Sequence, residues 1–163
     1  SVEHLVVTCS SCGLSLLQEW SYLWDHPAIE KIKQKMIHVS RLVNTHHQQL
    51  DLKTTEMTLA YHYPCHLKIQ PDPDSSVRML NDIEGISVIP MDTNCCGIAG
   101  SWGMSAANYG LSAEIGQELN SKLSNCDAVA GVTDCPTCRL QIEHFTSLPA
   151  RHPIEIVSKL IPD

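Results

Sequence analysis

Four short runs of aliphatic, largely β-branched residues recur along the chain, and each is followed within a few residues by cysteine: His4–Thr8 (HLVVT), Met57–His62 (MTLAYH), Ile86–Met91 (ISVIPM) and Ala128–Thr133 (AVAGVT). Continuous apolar runs of this length are the pattern of strands buried on both faces, as in a parallel sheet. Stretches of helical period lie between them: Ser10–Trp24, Pro27–Val43, Asp74–Asp82, Gly103–Leu123, Pro136–Phe145 and Pro153–Leu160. Several of these start on a proline, which suits a first helical position. Polar Asn44–Thr55, with His46 and His47, reads as a solvated loop or a helix fray. The order β-α-α-β-α-β-α-β-α-α predicts an α/β fold, a mostly parallel sheet flanked by helices. Parallel strands end at one edge, so the cysteine loops are expected to converge at the C-terminal edge of the strands, where open α/β sheets hold ligands. Helix N-termini aimed at that edge favour thiolate over thiol.

Six of the eight cysteines fall in close pairs, Cys9/Cys12, Cys95/Cys96 and Cys135/Cys138, leaving Cys65 and Cys126. A secreted disulfide scaffold is normally shorter and poorer in aliphatic periodicity than this chain of 163 residues with 43% hydrophobic side chains. No signal-peptide pattern is present, and the apolar runs are too short to span a bilayer. Paired cysteines in such a chain read first as metal or cluster ligands. A net charge of −7 without any basic stripe argues against nucleic acid as a partner.

The chain also repeats itself. LVVTCSSCGLSLLQEW resembles AVAGVTDCPTCRLQIEHF, each an apolar strand, a Thr, a CxxC and an amphipathic helix. Cys65 and Cys95–Cys96 precede the second copy only. The expected division is therefore residues 1–50 as the tail of an upstream repeat with connecting helices, and 51–163 as a complete unit. A start at Ser1 rather than Met fits a piece of something longer.

The most specific constellation is Cys65, Cys95–Cys96–Gly97 and Cys135–Pro136–Thr137–Cys138, with 29 residues between Cys65 and Cys95 and 38 between Cys96 and Cys135. Together with YHYPCHL, NCCGIAGSWGM, DCPTCRLQIE and RHPIEIV, it resembles the cysteine-rich CCG domain of iron–sulfur oxidoreductases. That family includes the B-subunit of heterodisulfide reductase, the glycolate oxidase iron–sulfur subunit, the C-subunit of anaerobic glycerol-3-phosphate dehydrogenase and the C-terminal part of fused flavin-linked 2-hydroxy-acid dehydrogenases. The resemblance covers residues 57–163 strongly, and residues 1–24 resemble the tail of a preceding repeat.

The resemblance implies a [4Fe–4S] cluster, non-cubane in the best understood members, on Cys65, Cys95, Cys96, Cys135 and Cys138. Some degenerate copies hold zinc, but five thiolates exceed a tetrahedral zinc's four positions. The implied role is an electron-transfer module, not catalytic alone, of a flavin-linked oxidoreductase acting on a 2-hydroxy acid or glycerol phosphate. FAD is expected in a partner domain or subunit, and a quinone or another carrier as the acceptor. The implied setting is cytoplasmic, peripheral to the inner face of the membrane through partners. The alternatives are a structural or subunit-docking zinc module without redox activity, and a thiol–disulfide relay on Cys135 and Cys138.

Other residues carry two readings each. Gly97, Gly100 and Gly103 suit both a tight turn and amide N–H groups aimed at cluster sulfurs. His62 and His66 flank Cys65 as hydrogen-bond donors or alternative ligands, against a structural or exposed role. Cys126 reads as a buried inert thiol. Trp20, Tyr22 and Trp24 read as core, or as a face packed on an upstream repeat. Trp102 reads as a shield over the site.

Overall fold

The computed structural model describes residues 2–46 and 49–162, and it divides the strands between two parallel sheets. The smaller pairs β1 (Leu5–Val7) with β2 (Met36–His38). The larger has the order β4-β3-β5-β6, with β3 (Met57–His62), β4 (Ile86–Met91), β5 (Ala130–Val132) and β6 (Ala150–Arg151). Its centre is β3, held on one side in the register Leu59↔Val88 and on the other as Leu59↔Ala130. The chain winds outward from β3 to β4 and then crosses back to add β5 and β6. That reversal is where open α/β sheets form a crevice beyond the strand ends.

The side chains of β3 alternate between two cores, as the twofold strand period requires. Leu59 and Tyr61 face α6 (Ser75–Asn81) and α9 (Pro153–Leu160), among Met79, Leu80, Val157 and Leu160. Ala60 faces α7 (Tyr109–Ser124) and α8 (Pro136–Phe145), among Leu119, Leu123 and Ile142. Cys96, Cys135 and Cys138 belong to this second core. The aliphatic layer thus continues directly into the cysteine loops.

The predicted helix Pro27–Val43 is interrupted. Ala28–Lys35 (α3) is helical, Met36–His38 pairs with β1, and Val39–His46 (α4) is helical again. A run such as MIHV satisfies strand and helix patterns equally, and pairing with Leu5–Val7 decides between them. The predicted first strand keeps only Leu5–Val7 and stays outside the main sheet. The helix after it divides into α1 (Ser10–Leu14), a π turn at Ser15–Glu19 and α2 (Trp20–Leu23). The long helix begins at Tyr109, after a 3-10 turn at Trp102–Met104. The short helix α5 (Cys65–Lys68) and the edge strand β6 had no sequence expectation. His46 closes α4, and His47 lies outside the described residues.

Candidate metal centre

The loops leaving β3, β4 and β5 meet over the crevice. Cys65 is the first residue of α5, directly after Pro64. Cys95 and Cys96 lie in the loop between β4 and the 3-10 turn, and Cys135 caps the N-terminus of α8 with Cys138 in its first turn. All five line one cavity of about 450 Å³, together with Ser10, Ser11, His66, Ile98 and Thr137. Cys96 and Cys138 touch, Sγ to Sγ, at 3.2 Å. Cys65 is exposed and Cys95 half-buried, whereas Cys96, Cys135 and Cys138 are buried. The cavity therefore opens on the side of Cys65.

The adjacent pair depends on its glycine. Gly97 has φ +92°, a conformation that L side chains resist. A Cβ there would lie 2.1 Å from the Ser112 carbonyl of α7. Gly116, one helical turn on, gives the same close approach, since a Cβ would lie 2.4 Å from the Cys96 carbonyl. The loop and α7 thus pack backbone to backbone, and the Gly97 amide donates to Cys95 Sγ at 3.3 Å. Lys68 Nζ donates to the Thr93 carbonyl at 2.8 Å and Lys122 Nζ to that of Asp92. These bonds tie the start of the loop to α5 and α7.

Packed together without a metal, the thiols share their protons unevenly. Cys95 is held down at about 2, first by the hydrogen bond from Cys65 and then by that from Cys96. Cys135 is lowered to about 5, chiefly by Cys138. The donors move the other way. Cys65 is raised by its bond to Cys95 and by burial, and Cys138 by its bonds to Cys135 and Cys96. Cys96 feels a lowering contact with Cys138, but its bond to Cys95 and its burial outweigh this and push it up to about 12. The shifts favour thiolate at Cys95 and Cys135 over the other three, a donor set suited to a metal ion or cluster.

Beneath Cys135 lies a buried polar knot with no signal in the spacing of the motif. Asp134 is fully buried. Its carboxylate accepts from the Tyr61 hydroxyl and, at 2.7 Å, from Ser76 Oγ. His38 Nε2 and His152 Nε2 each lie 3.8 Å from Asp134 Oδ1. Ser40 Oγ links His38 Nδ1, at 3.0 Å, to Ser76. The Asp134 carbonyl accepts from the Ser10 amide at 3.1 Å, and His152 Nε2 donates to the Thr8 carbonyl at 2.7 Å. Residues of both sheets are thereby fastened to the one that precedes Cys135. His38 and His152 hold matching places, each at the end of an edge strand and before a helix, a likeness readable once Met36–His38 is taken as a strand.

Several expected residues fall elsewhere. Cys9 caps α1 and lines a neighbouring hollow with Cys135, His152 and Glu155, and neither Cys9 nor Cys12 borders the five-cysteine cavity. Cys12 is raised by its hydrogen bond with Cys9. Cys126 is half-buried and donates to the Leu123 carbonyl. Trp20, Tyr22 and Trp24 are 40%, 87% and 54% exposed, so they are not core. Trp102 is exposed and does not border the cavity, so it is no shield in this conformation. His66 does border it, with Nδ1 bonded to Ser11 Oγ at 2.8 Å.

Residues 59–143 match the model of the family described as the CCG cysteine-rich domain. The chain is 30% identical over 165 residues to the C-subunit of the anaerobic glycerol-3-phosphate dehydrogenase of Escherichia coli (strain K12), an alignment covering 96% of this chain and 40% of that protein. It is 24% identical over 149 residues to the B-subunit of the CoM/CoB fumarate reductase of Methanothermobacter marburgensis, covering 86% of this chain and 28% of that protein. An uncharacterised iron–sulfur protein of Methanocaldococcus jannaschii is 25% identical over 147 residues, covering 86% and 27%. The chain thus spans between about a quarter and two fifths of the length of these relatives.

Proposed function

Because the chain belongs to the family of CCG cysteine-rich domains, we propose that it is an electron-transfer module whose Cys65, Cys95, Cys96, Cys135 and Cys138 hold an iron–sulfur cluster. The observation that carries this reading is the single cavity lined by all five cysteines. The donor set fits the group: five soft thiolate donors suit iron–sulfur chemistry and exceed the four positions of tetrahedral zinc. When bound, such a cluster supplies one-electron transfer, and we take its type to be [4Fe–4S], non-cubane. The chain's own part is to gather the thiolates, hold the Cys95–Cys96 pair through Gly97, and keep three sulfurs away from water in the aliphatic core. All five cysteines would hold such a cluster as thiolates, so loading would release protons.

The relatives that are subunits of oxidoreductases support partner subunits for the parent protein. We place a flavoprotein carrying FAD among them, oxidising glycerol phosphate or a 2-hydroxy acid, with a quinone or another carrier as the acceptor. No helix among the described residues is long and apolar enough to cross a membrane, and the proposed setting is cytoplasmic, peripheral to the inner face of the membrane through those partners. We further divide the chain into residues 1–50, the tail of an upstream CCG-type repeat, and 51–163, the complete domain.

The test is anaerobic loading with iron and sulfide, followed by metal analysis and visible and spin-resonance spectra. Iron with matching sulfide, lost in Cys96→Ser while the circular dichroism persists, is the expected result. One zinc per chain with no redox-active spectrum would replace the proposal with a structural zinc module. Reversible two-electron oxidation of Cys135 and Cys138 without metal would replace it with a thiol relay.

A further inference from the structure

His62 ends β3, the central strand, and is fully buried. Neither of its ring nitrogens has a hydrogen-bond partner. An imidazole taken out of water without partners is a costly group, and buried nitrogens of this kind normally have a destination. Strand alternation puts His62 on the face shared with Ala60, toward α7 and α8, and a ring nitrogen there lies within 4.8 Å of the sulfurs of Cys96 and Cys138. Those two sulfurs also touch each other. His62 does not border the five-cysteine cavity.

We propose that His62 is a positioning residue, donating a ring N–H to the ligating thiolate of Cys96 or Cys138 and so fixing both sulfurs toward the cavity. The inference rests on the reading of that cavity as an iron–sulfur site. A ligating thiolate is a good acceptor, and both sulfurs lie within 4.8 Å of a ring that has no other partner. Its place outside the cavity argues for a donor to sulfur and against a ligand to iron. A hydrogen bond to a ligating sulfur favours the more negative, reduced state of a cluster, which gives the residue a measurable electronic effect.

The test compares the anaerobically loaded protein with its His62→Leu and His62→Gln variants, reading the reduction potential of the bound cluster and the rate at which a chelator removes iron. We expect His62→Leu to lower the potential and to speed iron loss roughly ten- to a hundredfold. His62→Gln keeps an N–H and should recover most of both. A potential and a release rate in His62→Leu equal to those of the parent would overturn the inference. A measurement on the unsubstituted protein, labelled with nitrogen-15 histidine, stands whether or not the variants fold. Pulsed spin resonance should show one weak coupling from a nitrogen outside the ligand set. A strong coupling that persists in His66→Gln would make His62 an iron ligand, and no coupling would leave it without a role; either overturns the assignment. Should the unsubstituted protein take up no iron, the cluster reading itself fails and this inference with it, an outcome distinct from a loaded protein indifferent to His62.

Discussion

At the scale of single residues, the buried groups under the cysteines decide more than the cysteines do. Asp134 holds a carboxylate out of water because Tyr61 and Ser76 donate to it. Asp134→Ala removes the carboxylate that accepts from Tyr61 and Ser76, and should cost about 1–3 kcal/mol in urea unfolding of the metal-free protein. An unchanged midpoint would show the knot to be dispensable. His38 contributes to the pH dependence in the same direction as His62, which burial first and Lys68 second lower to about 4. Burial is the main cause lowering the folded value of His38 below the usual 6.5; Asp134 opposes this, while His152 and Arg41 add to it. In the unfolded chain His38 takes up a proton as the pH falls through 6.5, and in the folded chain it does so only at lower pH. The stability it contributes is therefore complete above that value and is lost on acidification below it. His38→Gln should flatten part of the decline below the usual 6.5 in unfolding curves, leaving the share that His62 contributes. A slope identical to the parent's would assign the acid sensitivity to other groups.

At the scale of elements, the closest fit is between α7 and the Cys95–Cys96 loop. Gly97→Ala places a Cβ against the Ser112 carbonyl on a left-handed backbone. The backbone conformation alone should cost about 1 kcal/mol or more, and the displaced loop should carry both thiols out of reach of Cys138. Iron per chain measured beside thermal unfolding checks this: near-normal metal content would mean that the loop tolerates the shift. The glycine after the cysteine pair was legible in the sequence, as were the three strands that lead to Cys65, Cys95 and Cys135. Their runs are continuously apolar, and each leads into a cysteine. The short pieces were not. Met36–His38 becomes a strand only because Leu5–Val7 lies beside it, and Ala150–Arg151 only because β5 does. The gathering of the five cysteines followed from parallel topology, since strand ends sort themselves to one edge. The Asp134 knot did not, because Tyr61, Ser76 and His38 are far apart in sequence and carry no spacing rule.

At the scale of the whole molecule, the first fifty residues form part of the wall of the cavity. Ser10 and Ser11 of α1 border it, the Gln70 side chain donates to the Ser10 carbonyl at 2.6 Å, and the Thr8 carbonyl receives His152. A chain shortened to residues 51–163 should therefore release iron to a chelator faster than the full chain, whereas the double substitution Cys9→Ser, Cys12→Ser should leave iron content unchanged. Equal release from the shortened and full chains would make α1 a bystander. Loss of iron in the double variant would instead draw Cys9 and Cys12 into the ligand set. The strand order β4-β3-β5-β6 also sets a timetable during synthesis. When β3 and β4 have left the ribosome they pair with one edge of β3 still bare, and only Cys65, Cys95 and Cys96 of the five are on hand. Cys135 and Cys138 arrive directly after the strand that covers that edge, so the central strand and the thiol set are completed in the same stretch of translation, with β6 following. A nascent chain arrested before β5 presents three thiols beside an open strand, a form more apt to be oxidised or to scavenge a stray metal than to accept its intended one.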